Sequence, residues 1–203
     1  MNGIHGDYES EKRRKAFHLL ALIVPLGYLF YPSEAQGKAI LVGAMIFGVV
    51  IDMFRLNEPI LRGFIHGLIG AIMRPDERGN LLGSTCLLIA SVLTVFLFPR
   101  AIAVAALCLL IAGDTAAALV GKRFGRIRIF GRKTLEGTLA FVAVGTCLNA
   151  GVSLFAQGLS HSTIVAGAVV GALVEALPLP IDDNFAVPII SGVAMVLTRI
   201  IQA

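Results

Sequence analysis

The sequence predicts an all-α, polytopic transmembrane helix bundle, and three observations support this prediction. The 203 residues are 57% hydrophobic and 15% charged, with a mean hydropathy of +0.85, whereas soluble domains usually carry about 25% charged residues. Apolar runs long enough to cross a bilayer as helices recur along the chain. Basic residues cluster between these runs. The composition therefore excludes an ordinary soluble domain, and we expect residues 1–203 to form one integral membrane domain.

A helix needs about 20 apolar residues to cross a hydrocarbon core about 30 Å thick, and the sequence predicts about seven such spans. They lie near residues 16–31, 38–54, 81–98, 101–121, 134–156, 161–177 and 185–201. The charged head before the first span could also begin a signal peptide, but we expect it to be kept, because the family resemblance described below includes it.

The connection between the second and third predicted spans has helical periodicity. Ile60, Phe64 and Leu68 share one face of the pattern, and Arg62 lies on another. This predicts an amphipathic helix in the membrane interface, with a re-entrant segment as the alternative. The helix leads into a charged turn, residues 74–80, that no lipid-facing segment would tolerate.

The positive charge of the short loops predicts the orientation, because loops rich in lysine and arginine stay cytoplasmic. The N-terminus, the 55–80 connection and the 122–133 loop are basic, whereas the 99–100 turn and the 157–162 loop carry little positive charge. We therefore expect a cytoplasmic N-terminus, with the 177–184 loop on the same side. The polar clusters of the chain would then share the cytoplasmic face of a plasma or endoplasmic-reticulum-type membrane.

Asp114 is the strongest candidate for a functional residue, because an ionisable group inside an apolar span is expensive and usually has a function. Ala118 and Gly121 follow it at helical spacing and form a small-residue face that permits close approach of a helix or ligand. The alternative is that these small residues serve helix packing and that Asp114 only pairs with a basic residue.

A basic loop follows this span. Its six cations are Lys122, Arg123, Arg126, Arg128, Arg132 and Lys133. Glycines among them would allow backbone amides to approach a polyphosphate, and a helix that begins near Thr134 would offer its N-terminus to anions. An ordinary basic cytoplasmic loop, or one that binds anionic lipid headgroups, would have the same composition. Glu136 has an alternative explanation of its own, because the helix dipole favours an acid in the first turn.

Two further groups of polar residues adjoin the predicted spans. Glu175 ends one span, and Asp183 and Asn184 lie in a proline-bracketed loop; such oxygen ligands suit Mg²⁺, although a solvated turn would have the same composition. Asp52 and Arg55, three positions apart, are predicted to pair with each other on one helix face.

At the start of the chain, Arg14, Lys15 and His18 share a helix face at the membrane entry. Membrane-flanking positive charge is the alternative explanation for Arg14 and Lys15. It explains His18 less well, because this residue lies within the predicted span.

Four motifs occur in one order along the chain. They are Glu11-x-x-Arg14-Lys15-x-x-His18; Arg74-x-x-Glu77 with Leu82-Gly83-Ser84-Thr85; Gly113-Asp114-Thr115-Ala116-Ala117-x-x-x-Gly121-x-x-x-Gly125 with Lys133-Thr134-Leu135-Glu136-Gly137; and Glu175 with Asp183-Asn184-x-x-x-Pro188. In this order they resemble the CTP-dependent lipid kinases, a family that includes dolichol kinase, phytol kinase and yeast-type diacylglycerol kinase. The third motif alone also resembles the phosphatidate cytidylyltransferase signature.

The resemblance implies CTP as phosphoryl donor, Mg²⁺ as cofactor and a membrane lipid alcohol as acceptor. The catalytic residues expected from it are Asp114, Asp183 and His18. The expected nucleotide-binding residues are Arg14, Lys15, Thr115, Gly121, Lys122, Gly125, Lys133, Thr134, Glu136, Gly137 and Asn184. The expected metal ligands are Asp114, Glu175 and Asp183. The motifs do not say which carboxylate accepts a proton and which binds metal.

Several alternatives stay open at this point. The acceptor is a polyprenol such as dolichol, a shorter isoprenoid alcohol such as phytol, or diacylglycerol. A CDP-lipid synthase and a small transporter are the competing functions, although a transporter is expected to contain repeats with broken helices, and no convincing repeat is found. We expect contact with membrane lipids and no nucleic-acid partner, and the oligomeric state is open.

Overall fold

The fold of the protein, taken from a computed structural model, is a bundle of α-helices with one small hairpin. The structure describes residues 2–70, 73, 77, 79–131 and 133–202, and it describes the side chains of these residues except 2–7, 10 and 69. The predicted motif residue Arg74 and the basic-loop residue Arg132 lie outside the described residues.

The elements follow one another in a simple order. The helices are α1 (Asn2–Leu20), α2 (Ile23–Phe30), α3 (Glu34–Asn57), α4 (Pro59–Ile69), α5 (Gly83–Leu97), α6 (Arg100–Cys108), α7 (Asp114–Phe124), α8 (Leu135–Ser153), α9 (His161–Ala176) and α10 (Asp183–Ile201). A π-helical turn, Leu109–Gly113, joins α6 to α7. Strands β1 (Arg128–Phe130) and β2 (Lys133–Thr134) form an antiparallel hairpin between α7 and α8.

Within the described part of the chain, four helical segments are long and apolar enough to cross a membrane. They are α3, the continuous segment Arg100–Phe124, α8 and α10. In α3, the most apolar stretch has a hydropathy of 2.1 although only 17% of it is buried inside the protein. A surface so apolar is suited to lipid rather than to water. The predicted membrane character is thus confirmed, whereas the count of seven spans and the orientation stay predictions.

The other predicted spans are helical but shorter or interrupted. Helices α5 and α9 have 15 and 16 residues. The predicted span 16–31 is divided between α1 and α2, because Pro25 has no N–H with which to continue the helical bonding to the carbonyl of Ala21. The segment predicted to be an amphipathic helix is helical, as α4, and its placement at the membrane interface stays a prediction.

The centre of the bundle is the segment that contains α6 and the π-helical turn. Every residue from 102 to 111 is fully buried, and α2, α5, α8 and α10 all pack against α6. A helix that is apolar on all sides belongs in the interior of a bundle. This segment therefore carries Asp114, at its end, to a fixed position among the surrounding helices.

Helices α7 and α8 approach each other closely at two glycines. A Cβ atom on Gly137 would lie 2.7 Å from the carbonyl oxygen of Ala117, and one on Gly121 would lie 2.9 Å from Oγ1 of Thr134. Larger residues would push the two helices apart. The close contact fixes the start of α8, and with it β2, against α7.

Candidate active site

A cavity of about 430 Å³ lies at one end of the bundle, between α1, α5, α7 and the start of α10. Its polar lining side chains are Arg14, Lys15, His18, Glu77, Ser84, Asp114, Asp183 and Asn184. Its apolar lining side chains are Phe17, Ala21, Val24, Met73, Leu82, Leu87 and Leu88. Each of the four sequence motifs contributes at least one residue, so the fold assembles segments that are far apart along the chain.

Asp114 lies on the cavity wall beside two residues of the first motif. Lys15, which is only 2% exposed, forms an ion pair with Oδ2 of Asp114. Nε2 of His18 lies 3.6 Å from the same oxygen and has no hydrogen-bond partner among the described residues. Asp114 thus has a basic partner, as one interpretation of the sequence expected, but that partner also lines the cavity. Pairing and function are therefore compatible here.

The π-helical turn explains how Asp114 reaches this position. Such turns add a residue to the helical repeat and change which side chains face a given direction, and they are frequent at functional sites. Gly113 ends the turn, where a Cβ atom would lie 2.8 Å from the ring of Phe141. A glycine is therefore required immediately before Asp114.

Lys133 connects the third and fourth motifs. Its ammonium group forms an ion pair with Glu175 at the end of α9 and lies 3.6 Å from Oδ2 of Asp183 at the start of α10. Burial alone would lower the pKa of Lys133, but the carboxylates of Glu175 and Asp183 raise it, and the net shift is upward. Lys133 is therefore cationic at neutral pH and holds two predicted metal ligands on one side of the site.

Glu11 connects the first motif to the basic loop. Its carboxylate accepts hydrogen bonds from Arg14 and, at 3.0 Å, from Nζ of Lys122. Burial on its own raises the pKa of Glu11, but Lys122 and Arg14 outweigh this and hold the pKa below its usual value. The ionised Glu11 thus positions two of the predicted nucleotide-binding cations.

The predicted nucleotide-binding glycines have roles in the α7–α8 contact. The side chain of Thr134 caps α8 by accepting a hydrogen bond of 3.2 Å from the amide of Gly137. The amide of Gly125 donates to the carbonyl of Gly121. These amides are thus used within the protein, and direct nucleotide contact by Gly121, Gly125, Thr134 and Gly137 stays a prediction.

Glu136 and Thr115 likewise have partners within the protein. The carboxylate of Glu136 accepts hydrogen bonds from the backbone amides of Arg126 (3.0 Å) and Ile127 (3.2 Å) and so fixes the loop before β1. The hydroxyl of Thr115 donates to the carbonyl of Ile111. Their predicted contact with nucleotide is untested.

The acidic residues fit a metal ion that arrives together with a nucleotide. Among the described residues, no group of three or more His, Cys, Asp or Glu side chains is arranged to hold a metal. Glu175 and Asp183 face each other across Lys133, and Asp114 pairs with Lys15. Mg²⁺ commonly uses one or two carboxylates together with substrate phosphates and water. The donor set is therefore compatible with Mg²⁺ although it is not a complete protein cage.

Comparison with known proteins identifies the family. The chain is 30% identical over 155 residues to CTP-dependent diacylglycerol kinase 1 of Schizosaccharomyces pombe, covering 70% of this chain and 71% of that protein. It is 27% identical to the Saccharomyces cerevisiae protein of the same name, covering 94% and 74%, and 24% identical to the chloroplastic farnesol kinase of Arabidopsis thaliana, covering 95% and 67%. No family model and no solved structure matches.

The chain belongs to the CTP-dependent lipid kinase family. The motif resemblance is thus confirmed, and the protein is a lipid kinase at the level of its family. The cavity that collects the four motifs is accordingly the candidate active site of a lipid kinase.

One pair of site-supporting residues was only partly foreseen from the sequence. The predicted pairing of Asp52 and Arg55 is present, with Nε donating to Oδ1 at 2.7 Å and both side chains fully buried. Arg55 also donates to the carbonyls of Glu77 and Asn80, and Asp52 accepts from the amide of Leu82. The pair thus holds the cavity-lining segment of the second motif. The sequence indicated the pair, because two opposite charges stand three positions apart in an apolar helix. The contacts of the pair with the second motif depend on the fold and could not be predicted from the sequence.

Proposed function

We propose that this protein transfers the terminal phosphoryl group of CTP to the hydroxyl of a membrane lipid alcohol bound in the cavity. The observation that carries the proposal is the composition of the cavity wall, which combines ionic side chains, Asp114 with Lys15, and apolar side chains such as Leu87 and Leu88. A lipid alcohol has the same division between hydroxyl and tail. A volume of about 430 Å³ lies within the range of about 300–1,000 Å³ typical of ligand sites.

CTP is proposed as donor because the yeast relatives are named as CTP-dependent. The cations of the first and third motifs are suited to a triphosphate, since charged donors form strong hydrogen bonds with phosphate oxygens. In the proposed complex, Lys133 contacts the nucleotide phosphates, and Arg14, Lys15 and Lys122 add positive charge around them. Asn184, which lies on the cavity wall, is proposed to be near the phosphates.

Asp183 and Glu175 are the residues that would hold Mg²⁺ with the phosphates, and Asp114 would do so from the other side. The ion would neutralise phosphate charge in the transition state. The protein itself supplies alignment: Lys133 keeps the two carboxylates of α9 and α10 in place, and Asp52 and Arg55 keep the second motif against the cavity.

In the transfer step, the lipid hydroxyl oxygen forms a bond to the terminal phosphorus, and the bond from that phosphorus to the oxygen of the leaving CDP breaks. Asp114 or Asp183 accepts the hydroxyl proton. His18 is proposed to orient the hydroxyl, because its Nε2 lies near Asp114 and is free to make a hydrogen bond to substrate. The apolar wall limits the access of water, which would otherwise compete as the acceptor.

The acceptor and the topology are the finer parts of the proposal. Relatives named as diacylglycerol, phytol and farnesol kinases support a lipid alcohol as a class. We propose a multi-pass protein whose N-terminus and cavity opening face the cytoplasm, where CTP is available. A panel of diacylglycerol, polyprenol and shorter isoprenoid alcohols, compared by kcat/KM, would identify the acceptor.

The decisive experiment follows the phosphorus atoms of CTP. Purified protein is incubated with Mg²⁺, CTP labelled at either the terminal or the innermost phosphorus, and an equal mixture of a lipid alcohol and a lipid phosphate. The lipid phosphate is included because it is the acceptor that a CDP-lipid synthase requires. We expect the terminal label in the lipid and CDP in solution. Transfer of the innermost label to a lipid phosphate, with release of pyrophosphate, would instead identify a CDP-lipid synthase and refute the kinase proposal.

A further inference from the structure

The cations of the basic loop fall into two groups in the structure. Lys122 and Lys133 form ion pairs with Glu11 and Glu175, respectively. The other described cations are exposed on the surface of the protein; they are Arg123, Arg126 and Arg128. In the part of the chain that the structure describes, no acidic side chain forms an ion pair with these three arginines.

The outward-facing arginines alternate with large apolar residues that are equally exposed. Every residue from 123 to 131 is exposed. The exposed fractions are 59% for Phe124, 57% for Ile127, 38% for Ile129 and 44% for Phe130. We call residues 123–131, together with 133 and 134, the basic hairpin. Side chains of successive strand residues point to opposite faces, so the hairpin presents both arginines and apolar groups to its surroundings.

The hairpin is held in this shape by α8. Glu136 accepts hydrogen bonds from the amides of Arg126 and Ile127, and the amide of Leu135 donates to the carbonyl of Ile127 at 2.8 Å. The apolar side chains are therefore displayed on a fixed backbone. A flexible loop could turn them inward, whereas this one keeps them outside.

The position of the hairpin limits what it can reach. It joins two candidate spans that end at Phe124 and begin at Leu135. Each arm has about five residues and extends at most about 17 Å from the ends of those helices. The interfacial layer of a bilayer begins at that level, and basic segments with apolar residues are attracted to it.

We propose that the basic hairpin docks onto the anionic surface of the membrane, with its arginines on lipid phosphates and its apolar side chains in the headgroup layer. Charge complementarity favours this partner, because the described part of the hairpin has three exposed arginines that form no ion pair with a described acidic residue, and anionic lipids present phosphate oxygens. The interleaved phenylalanine and isoleucine residues favour a lipid layer over a free nucleotide. The inference is independent of the proposed kinase reaction.

The absence of tryptophan from the sequence makes a direct test possible. Ile129→Trp introduces a single fluorophore into the hairpin, and Leu154→Trp places one at the opposite end of α8 as a matched control. Leu154 is 81% exposed, so the substitution is tolerated there. Emission is recorded in nanodiscs of phosphatidylcholine with and without phosphatidylglycerol, at low and high salt. If Ile129→Trp does not fold, Phe130→Trp provides the same probe.

We expect the emission of Ile129→Trp to shift to shorter wavelength when phosphatidylglycerol is present, and salt to reverse the shift, while Leu154→Trp responds to neither. Adding Arg126→Gln and Arg128→Gln should weaken docking about 25-fold, since each arginine near an anionic surface contributes a factor of about five. The proposal is overturned if Ile129→Trp stays water-exposed in both lipids. It is also overturned if the double arginine variant keeps the lipid-dependent shift and only raises the KM for CTP, which would assign these arginines to the nucleotide.

Discussion

Lys15 and Asp114 form an ion pair across the cavity wall although 99 positions separate them in the sequence. The pair joins α1, which carries the first motif, to the start of α7, which carries the third. A buried lysine without a partner is costly, so Asp114 also stabilises the position of α1. The first and third motifs therefore meet in the wall of one cavity.

Asp114→Asn is expected to lower turnover about 100- to 10,000-fold, the usual contribution of proton transfer, while the protein remains folded. The amide keeps the shape of the carboxylate and can still accept a hydrogen bond from Lys15. Turnover at saturating CTP and the melting temperature are measured together. Asp182→Asn is the control, because Asp182 is exposed, caps α10 through the amide of Asn184, and asparagine is an equally good cap. Near-normal turnover in Asp114→Asn would contradict the assignment of Asp114 to the active site.

Lys133→Ala is expected to raise the KM for CTP about 10- to 100-fold and to lower turnover less, because it removes a charged hydrogen bond to phosphate. The raised pKa of Lys133 keeps it protonated, so wild-type KM for CTP should show no titration of this group near neutral pH. The measurement is steady-state kinetics with CTP varied at a fixed lipid concentration.

Lys38→Ala is the matched control for Lys133. Lys38 pairs with Glu34 in the first turn of α3, whereas Lys133 lies 3.6 Å from Oδ2 of Asp183 on the cavity wall. Its removal should leave the KM for CTP unchanged. An unchanged KM in Lys133→Ala, with loss of turnover alone, would show that Lys133 only orders Glu175 and Asp183.

The orientation is tested by cysteine labelling in intact cells, with the three native cysteines replaced by alanine. The cysteine of Arg126→Cys should not react with a membrane-impermeant reagent added outside intact cells, and it should react after the cells are permeabilised. Leu154→Cys should react from outside, because it lies at the other end of α8. Reaction of Arg126→Cys from outside would reverse the topology and place the cavity opening away from cytoplasmic CTP.

The sequence was sufficient to predict several residues that the fold brings to the cavity, but not the contacts among them. Asp114 could be recognised because an ionised group in an apolar segment is expensive. Its pairing with Lys15 could not be predicted, because membrane-flanking lysines are common and nothing local selects one of them as the partner. Likewise, Arg100 was counted only as a weak topology signal, whereas its guanidinium binds the carbonyls of Tyr28 and Leu29 at the end of α2.

Glycines give a second example of this limit. Gly121 and Gly137 belong to the third motif, and the family resemblance implied that they bind nucleotide. The structure gives each a packing role, because a Cβ atom would meet Thr134 or Ala117. Nucleotide binding and close helix packing both require glycine at these positions. The sequence pattern is therefore the same for both, and the short distance between α7 and α8 is what reveals the packing role.

Arg55→Lys is expected to raise the KM for the lipid acceptor more than the KM for CTP. Lysine keeps the charge but cannot bind Asp52 and the carbonyls of Glu77 and Asn80 at once, because it lacks the planar fork of arginine. The segment leads into α5, whose Leu87 and Leu88 line the proposed acceptor side of the cavity, and it would lose its support. Disrupting a buried ion pair also lowers the stability of the protein. The loss is about 3–5 kcal/mol when one partner is removed entirely.

Arg62→Lys is the control for Arg55→Lys, because Arg62 donates to the backbone carbonyls of Arg55 and Leu56 near the end of α3. Kinetics with the lipid and CTP varied in turn separates the two effects. Equal changes in both KM values would mean that Arg55 maintains the whole fold rather than the acceptor side of the site.

Gly137→Ala and Gly151→Ala change the same helix in the same way and should have opposite effects on stability. At Gly137 the new methyl group would lie 2.7 Å from the carbonyl of Ala117, whereas nothing lies within 4 Å of the corresponding position at Gly151. Overpacking should destabilise Gly137→Ala by about 1–3 kcal/mol. Gly151→Ala should gain about 0.5–1 kcal/mol, because alanine loses less backbone entropy in a helix. Melting temperatures in one detergent provide the comparison.

Because α8 begins two residues after Lys133, Gly137→Ala should also raise the KM for CTP, and Gly151→Ala should not. Equal melting temperatures for the two variants would show that α7 and α8 are not in close contact at this point.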